Sequence, residues 1–224
     1  MQPASRPNER NIAQRIVSTL IIIALVVLVS SLLTPRVDFC GFKGPINQTM
    51  NNARQLYSAG FSMAIDHGTT GDDLLGWPGD LAERKGKQAT TVSGYIERLI
   101  GGGYLKRSDM AKVLQEPGVI PWDINRPLDA DRNCPFKIYR VKESDGPTTL
   151  FCASRNFTYN EGLDEKKTPY GDKGFVLFRK GGDGAVFNHK KPATSNVNAL
   201  GLLPGRTDYQ TRNKEEPGDC LEAK

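Results

Sequence analysis

Between Arg15 and Arg36 the chain reads RIVSTLIIIALVVLVSSLLTPR, with no charge inside the two arginines. The apolar run from Ile16 to Thr34 is about 19 residues long and would cover roughly 28 Å as a helix, close to the hydrocarbon thickness of a bilayer. A core helix normally keeps a polar face, and from Leu20 to Val29 this run has none. A secretory signal has a shorter apolar region of about 7–15 residues, although Val29-Ser30-Ser31 offers a small-residue cleavage site. The reading is a retained anchor, with a cleaved signal or a buried helix as the alternatives. Phe39 before Cys40 argues against a lipoprotein anchor, which calls for a small residue there.

Arg6, Arg10 and Arg15 precede the run, opposed only by Glu9. An excess of arginine before a first span holds that end in the cytoplasm. The expected organisation is a cytoplasmic basic tail over 1–15, a transmembrane helix over 16–34 and an exported domain over 35–224. That corresponds to a single-pass inner-membrane protein with its C-terminal domain periplasmic or extracellular. All four cysteines, Cys40, Cys134, Cys152 and Cys220, fall on the exported side, where an even number suggests two disulfides. None has the close spacing of zinc ligands.

The net charge of +5 is spread along the chain in short basic runs such as Lys190-Lys191. This is the pattern of a solvated surface, and no nucleic-acid partner is expected.

In the exported part, Ile46, Met50, Ala53, Tyr57, Phe61 and Ala64 recur every three or four residues, predicting an amphipathic helix opened by Gly44-Pro45 and closed near Gly68. Thr69 to Gln88 reads as a long surface connection anchored by Leu74, Leu75 and Trp77. A second helix carries Val92, Tyr95, Ile96, Leu99 and Ile100 on one face and ends at Gly101 to Gly103. Ser108 is expected to cap a short third helix that stops before Pro117.

The period then becomes alternating. FKIYRV (136–141) and TTLFCAS (148–154) predict strands joined at Ser144-Asp145-Gly146-Pro147, and GFVLFR (174–179) with GAVFN (184–188) predicts a hairpin around Gly181-Gly182-Asp183. The fold class is therefore α+β: an N-terminal transmembrane helix, amphipathic helices, then a small antiparallel sheet. Beyond about Pro192 the chain is polar and rich in Gly and Pro, and an irregular segment tied down by Cys220 is expected.

In the first hairpin, opposed residues have numbers summing to about 290, which sets Ile138 against Cys152 and leaves Cys134 just past the strand end. We pair Cys134 with Cys152, through a bend at Pro135, and Cys40 with Cys220.

Four phrases, NARQLYSAGFSMA (52–64), LIGGGYLKRSDM (99–110), VIPWDINRPLDADRNCPFKIYRV (119–141) and FRKGGDGAVF (178–187), resemble those of type IV pilin-like proteins, especially the pseudopilins of type II secretion. The resemblance implies a pilin-like head acting by protein–protein contact in a secretion or envelope assembly, with the membrane and other pilin-like or secretion-system proteins as partners. It also implies a calcium site near the late Asp-Gly loop, which maps onto Asp183. The chain departs from the family at the stem, where Arg15 precedes Ile16 with no processing glycine and Leu20 stands where a pilin carries its Glu.

The competing class is an exported, membrane-tethered enzyme or ligand-binding domain. His67 and His189 lie in turn-like segments, and Asp72, Asp73 and Asp80 sit in a Gly-rich stretch that suits solvated carboxylates better than an acid–base pair. No nucleophile elbow, metalloprotease helix or phosphate loop is present. No catalytic residue, cofactor or small-molecule substrate is expected. Asn47-Gln48-Thr49 and Asn156-Phe157-Thr158 match glycosylation acceptors, which matter only in a eukaryotic secretory pathway.

Overall fold

Helix α1 runs from Lys43 to Thr70 over 28 residues and lies against an antiparallel sheet. The structure is a computed structural model and describes residues 19–20, 43–85, 91–159, 161–164, 166–187, 200–206 and 215–223. The chain divides into two units, Met1–Cys40 and Gly41–Lys224. In the first, Thr19 and Leu20 are helical, and the remainder of the apolar run lies outside the described residues. Among the described residues no helix is long and apolar enough to cross a membrane.

The second unit is α+β. Its helices continue with α2 (Pro78–Lys85), α3 (Val92–Gly101), α4 (Arg107–Val113) and α5 (Ala130–Asn133). Its strands are β1 (Phe136–Ile138), β2 (Leu150–Ser154), β3 (Phe157–Thr158), β4 (Gly162–Leu163), β5 (Phe175–Arg179) and β6 (Gly184–Phe187). Four strands form one sheet in the order β1-β2-β5-β6, all neighbours antiparallel, and β3 with β4 forms a small separate hairpin. The expected register holds: Phe136 stands opposite Ser154 and Ile138 opposite Cys152.

Helix α1 buries Ile46, Met50, Ala53, Leu56, Ala59, Met63 and Ala64. Roughly three or four apolar residues per two turns on one side suffice to dock a helix, and the small Ala53, Ala59 and Gly60 let it approach closely. The buried stripe passes through Leu56 and Met63, so Phe61 is left on the flank. The helix continues through Gly68 and stops where Gly71, at φ 71°, donates its N–H to His67 O at 2.8 Å, the left-handed ending that favours glycine.

The stretch after α1 differs from the expected surface connection, because Pro78 opens a helix there, with Trp77 and Leu81 buried beneath it. Leu75 packs on the core, whereas Leu74 is exposed. Helix α3 buries Val92, Tyr95, Ile96 and Leu99 and is capped by Thr91, whose side chain accepts from Gly94 N. In α4 the position before the first turn is Lys106, with no side-chain cap, and Ser108 falls inside the helix.

Both faces of the sheet are covered, so β2 is buried at every position. On the α1 side lie Phe136, Ile138, Phe151, Cys152, Val176 and Phe178. On the far side lie Tyr139, Leu150, Ala153, Phe175 and Leu177, under Phe157, Leu200 and Leu203. The pairing of β2 with β5 shifts between Leu150 and Cys152. This bulge sends the consecutive residues Phe151 and Cys152 to the same side.

The segment expected to be irregular supplies much of the far cover. Leu202 bridges Thr149, Cys220 bridges Tyr139 and Glu222 bridges Thr91. These are backbone pairings, so the tail is held to the sheet edge by hydrogen bonds as well as by the burial of Leu203 and Leu221.

Candidate functional site

The outer side of α1 carries two large apolar residues one turn apart, Phe61 at 43% and Ile65 at 51% exposure. They sit on neighbouring positions because residues four apart on a helix share a face. The Phe61 ring is held from beneath. It stacks on Tyr57 with ring centres 5.7 Å apart and meets Trp77 at 6.1 Å.

Tyr57 is itself fastened. Its hydroxyl donates to Lys180 O at 2.7 Å, and its ring meets Phe178 at 5.0 Å and Phe151 at 5.6 Å. The Trp77 indole N–H donates to Glu143 Oε2 at 2.5 Å, and Lys180 Nζ lies 5.5 Å from the centre of the Trp77 ring. An aromatic ring presented on such a support loses little further freedom when a partner covers it, which suits a contact residue.

Where α1 ends, Leu74 is exposed in the following turn, and a polar cluster braces that turn. His67 Nδ1 lies 2.8 Å from Asp72 O, and Arg84 reaches His67 Nε2 at 3.1 Å, Asp73 at 3.3 Å and Leu75 O at 2.8 Å. The three carboxylates singled out in the sequence do not converge. Asp72 accepts from Leu74 N at 2.8 Å, Asp73 pairs with Arg84, and Asp80 accepts from Glu143 N at 2.9 Å. Burial raises the Asp80 carboxyl above its ordinary value against the pull of that backbone bond and of Arg84. Each acid serves a turn or a junction. His189 lies outside the described residues.

Asp183 ion-pairs with Arg179 across the hairpin it closes. Among the described residues no three His, Cys, Asp or Glu side chains gather as a metal would require. Of the cysteines, Cys134, Cys152 and Cys220 are buried free thiols, and Cys40 lies outside the described residues. The Cys134–Cys152 bond expected from the sequence is not formed. The two thiols share one core cluster, but the ladder continues past β1 through Arg155 N to Pro135 O at 2.8 Å and Cys134 Sγ donates to Phe136 O at 3.3 Å, so the Cys134 thiol is engaged with its own strand. Burial raises the Cys134 thiol to about 11 and raises Cys152 and Cys220 as well.

Of the two glycosylation triplets, Asn156 is fully buried and donates to Gly171 O at 2.7 Å and Gly174 O at 2.8 Å. The amide that would be modified is engaged in holding a loop. Asn47 is exposed on the first turns of α1.

Sequence reasoning missed the most buried acid among the described residues. Glu116, 5% exposed, accepts from Thr49 Oγ1 at 2.5 Å, Asn52 Nδ2 at 2.7 Å and Tyr170 OH at 3.1 Å. Thr49 also bonds the Tyr170 hydroxyl. The cluster ties α1, the turn after α4 and the loop before β5 together. Burial lifts the Glu116 carboxyl above its ordinary range, while the three donors pull it down. The only local signal was Gln115-Glu116-Pro117-Gly118, which reads as a turn.

No family model, curated protein or solved structure matches this chain.

Proposed function

We propose that this chain is a membrane-anchored, pseudopilin-like structural subunit whose head works by protein–protein contact in a secretion or envelope assembly. The observation that carries the reading is the outer side of α1. A 28-residue helix packed across a four-stranded antiparallel sheet presents Phe61 and Ile65 to solvent, and the helix follows the uncharged run 16–34 in sequence.

In this reading the run 16–34 holds the subunit in the inner membrane with its N-terminus cytoplasmic. The stem lacks the processing glycine and carries Leu20 in place of the pilin Glu, so the subunit joins its partners through the head and without prepilin processing. The bracing of Tyr57, Phe61 and Trp77 supports a contact role, since a rigid apolar surface is the usual centre of a protein interface.

Site-specific photo-crosslinking in the producing cell tests it. A benzoylphenylalanine at Ile65 should give covalent products with pilin-like or secretion-system subunits in the membrane fraction, and the same group at exposed Ser108 on α4 should not. Absence of such products at both Phe61 and Ile65 would remove the reading. The anchor is tested separately: Val26→Arg costs about 2.5–3.5 kcal/mol at mid-span and should lower membrane recovery, while Val26→Leu leaves it unchanged.

A further inference from the structure

Counted outward from Phe61, the face of α1 that carries it is laid out alike in both directions. Seven residues before Phe61 stands the exposed Arg54 and seven after it Gly68, each about 10 Å along the helix. Four residues away lie Tyr57 and Ile65, and three away the small Ser58 and Ala64. Positions three, four and seven apart share one side of a helix. The neighbouring hydroxyls ask for no outside partner, because Ser62 Oγ donates to Ser58 O at 3.0 Å and Thr69 Oγ1 to Ile65 O at 2.8 Å.

The two ends of this face carry opposite charge. Arg54 donates to Asn51 Oδ1 at 3.4 Å, and among the described residues it has no ion pair. Asp183, whose charge reaches Tyr57 one turn further on, is already paired with Arg179. At the other end Asp66, Asp72 and Asp73 are all exposed. Arg84 pairs with Asp73, and Arg98 donates to Leu74 O at 3.4 Å. Asp66 meets no cation among the described residues and accepts from the Tyr104 hydroxyl at 2.8 Å. Desolvation, that bond and the charges of Asp66 and Asp72 push this hydroxyl up to about 12, the mark of an acidic surface.

We propose that the Phe61 face pairs with the same face of a second copy of this chain, the two α1 helices running in opposite directions about a twofold axis at Phe61. Phe61 then stands against Phe61 of the second copy, Ile65 against Tyr57, Ser58 against Ala64 and Arg54 against Gly68. A side chain at Gly68 would meet nothing within 4 Å, so the arginine has room to cross the bare backbone and reach the acidic end. Helices running in the same direction would set Arg54 against Arg54 and Asp66 against Asp66, which like-charge repulsion disfavours. In the reversed pair each copy gives one cation to the acids of the other. A twofold contact requires a patch that complements itself. The inference rests on the reading of this face as a contact surface and names the partner that covers it.

The test mixes unlabelled and ¹⁵N-labelled full-length chain in detergent micelles, both carrying benzoylphenylalanine at Ile65, and maps the photoproducts by mass spectrometry. Products of mixed isotope content should join position 65 of one copy to residues 54–60 of the other. Attachment to residues 62–68 would show helices running in the same direction and overturn the proposal. In sedimentation of the chain without the photoreactive group, Arg54→Glu and Ile65→Ser should each weaken self-association about tenfold, with unchanged far-ultraviolet dichroism. Added salt should weaken association of the wild type and strengthen that of Arg54→Glu, since it screens attraction in one and repulsion in the other. A dimer that both substitutions leave intact would be held elsewhere and overturn the proposal. A monomeric chain whose position 65 still cross-links other envelope proteins in the cell overturns the pairing and keeps the contact reading. Self-products alone keep the pairing and remove the secretion-assembly reading.

Discussion

Asn52 donates to Glu116 Oε1 at 2.7 Å, a bond between the sheet-packed helix and a turn 64 residues further along the chain. Around it a carboxylate is buried among three neutral donors and, among the described residues, no cation, so hydrogen bonds stabilise its charge. That balance makes the junction sensitive to pH.

Burial raises the Glu116 carboxyl in the folded chain above the value of about 4.5 that it has when unfolded. The folded state therefore holds this proton more tightly. Its stabilising contribution is complete below the unfolded value and is lost as pH rises through the folded one. Glu116→Gln keeps a neutral, hydrogen-bonding group at every pH. The melting temperature of wild type relative to Glu116→Gln should fall between pH 4 and pH 7, and a difference that stays flat across that range would show that the carboxyl is not shifted. Glu116→Ala orphans buried donors and should cost about 1–3 kcal/mol for each.

Gly60 faces Tyr95, whose hydroxyl is buried without a hydrogen-bond partner and lies where a Gly60 side chain would go. Gly60→Ala should destabilise by about 1–3 kcal/mol through overpacking. Tyr95→Phe removes the unsatisfied hydroxyl and should be neutral or stabilising. The two changes together should recover much of the loss, a coupling that denaturant unfolding of all four proteins measures. Strict additivity would show that the two residues do not compete for the space.

The Arg206–Asp219 pair is nearly buried, with side chains 9% and 11% exposed, and Asp219 Oδ2 also accepts from Glu216 N at 2.8 Å. Asp219→Ala should cost about 1.5–3 kcal/mol, as the loss of hydrogen bonds to a charged group does. Hydrogen exchange should speed up first in 200–206 and 215–223, ahead of β2 and β5. Simultaneous loss of protection throughout the sheet would show that the tail and the sheet unfold as one unit.

Buried thiols with raised pKa values hold little thiolate, the form that reacts. Cys134, Cys152 and Cys220 should resist alkylation in the native chain at pH 8 and alkylate fully in denaturant without reductant. A Cys134–Cys152 cross-linked peptide in a non-reducing map would show that the two thiols are not free.

Much of the fold from α1 onward is written locally. The amphipathic spacing of α1 and α3 identifies them, and the turn residues between Lys142 and Thr149 and between Lys180 and Gly184 set the hairpins, so that even the register of Ile138 against Cys152 is readable from residue numbers. The candidate face was half legible: Phe61 is visible as an apolar position on α1, but the spacing alone assigned it to the core. Which stripe is buried depends on where the sheet lies, and Leu56 and Met63 took that place.

What depends on distant partners was decided only by the tertiary structure. The tail looks irregular because its polar, Gly-rich sequence has no period, yet Leu202 and Cys220 pair with backbone at Thr149 and Tyr139, and Leu200, Leu203 and Cys220 cover the far face. Glu116 reads as a turn acid until Thr49, Asn52 and Tyr170 surround it. Local periodicity determines which residues can form helix or strand. Burial and charge matching are properties of neighbours brought together by the fold, and they alone distinguish an engaged side chain from an open one.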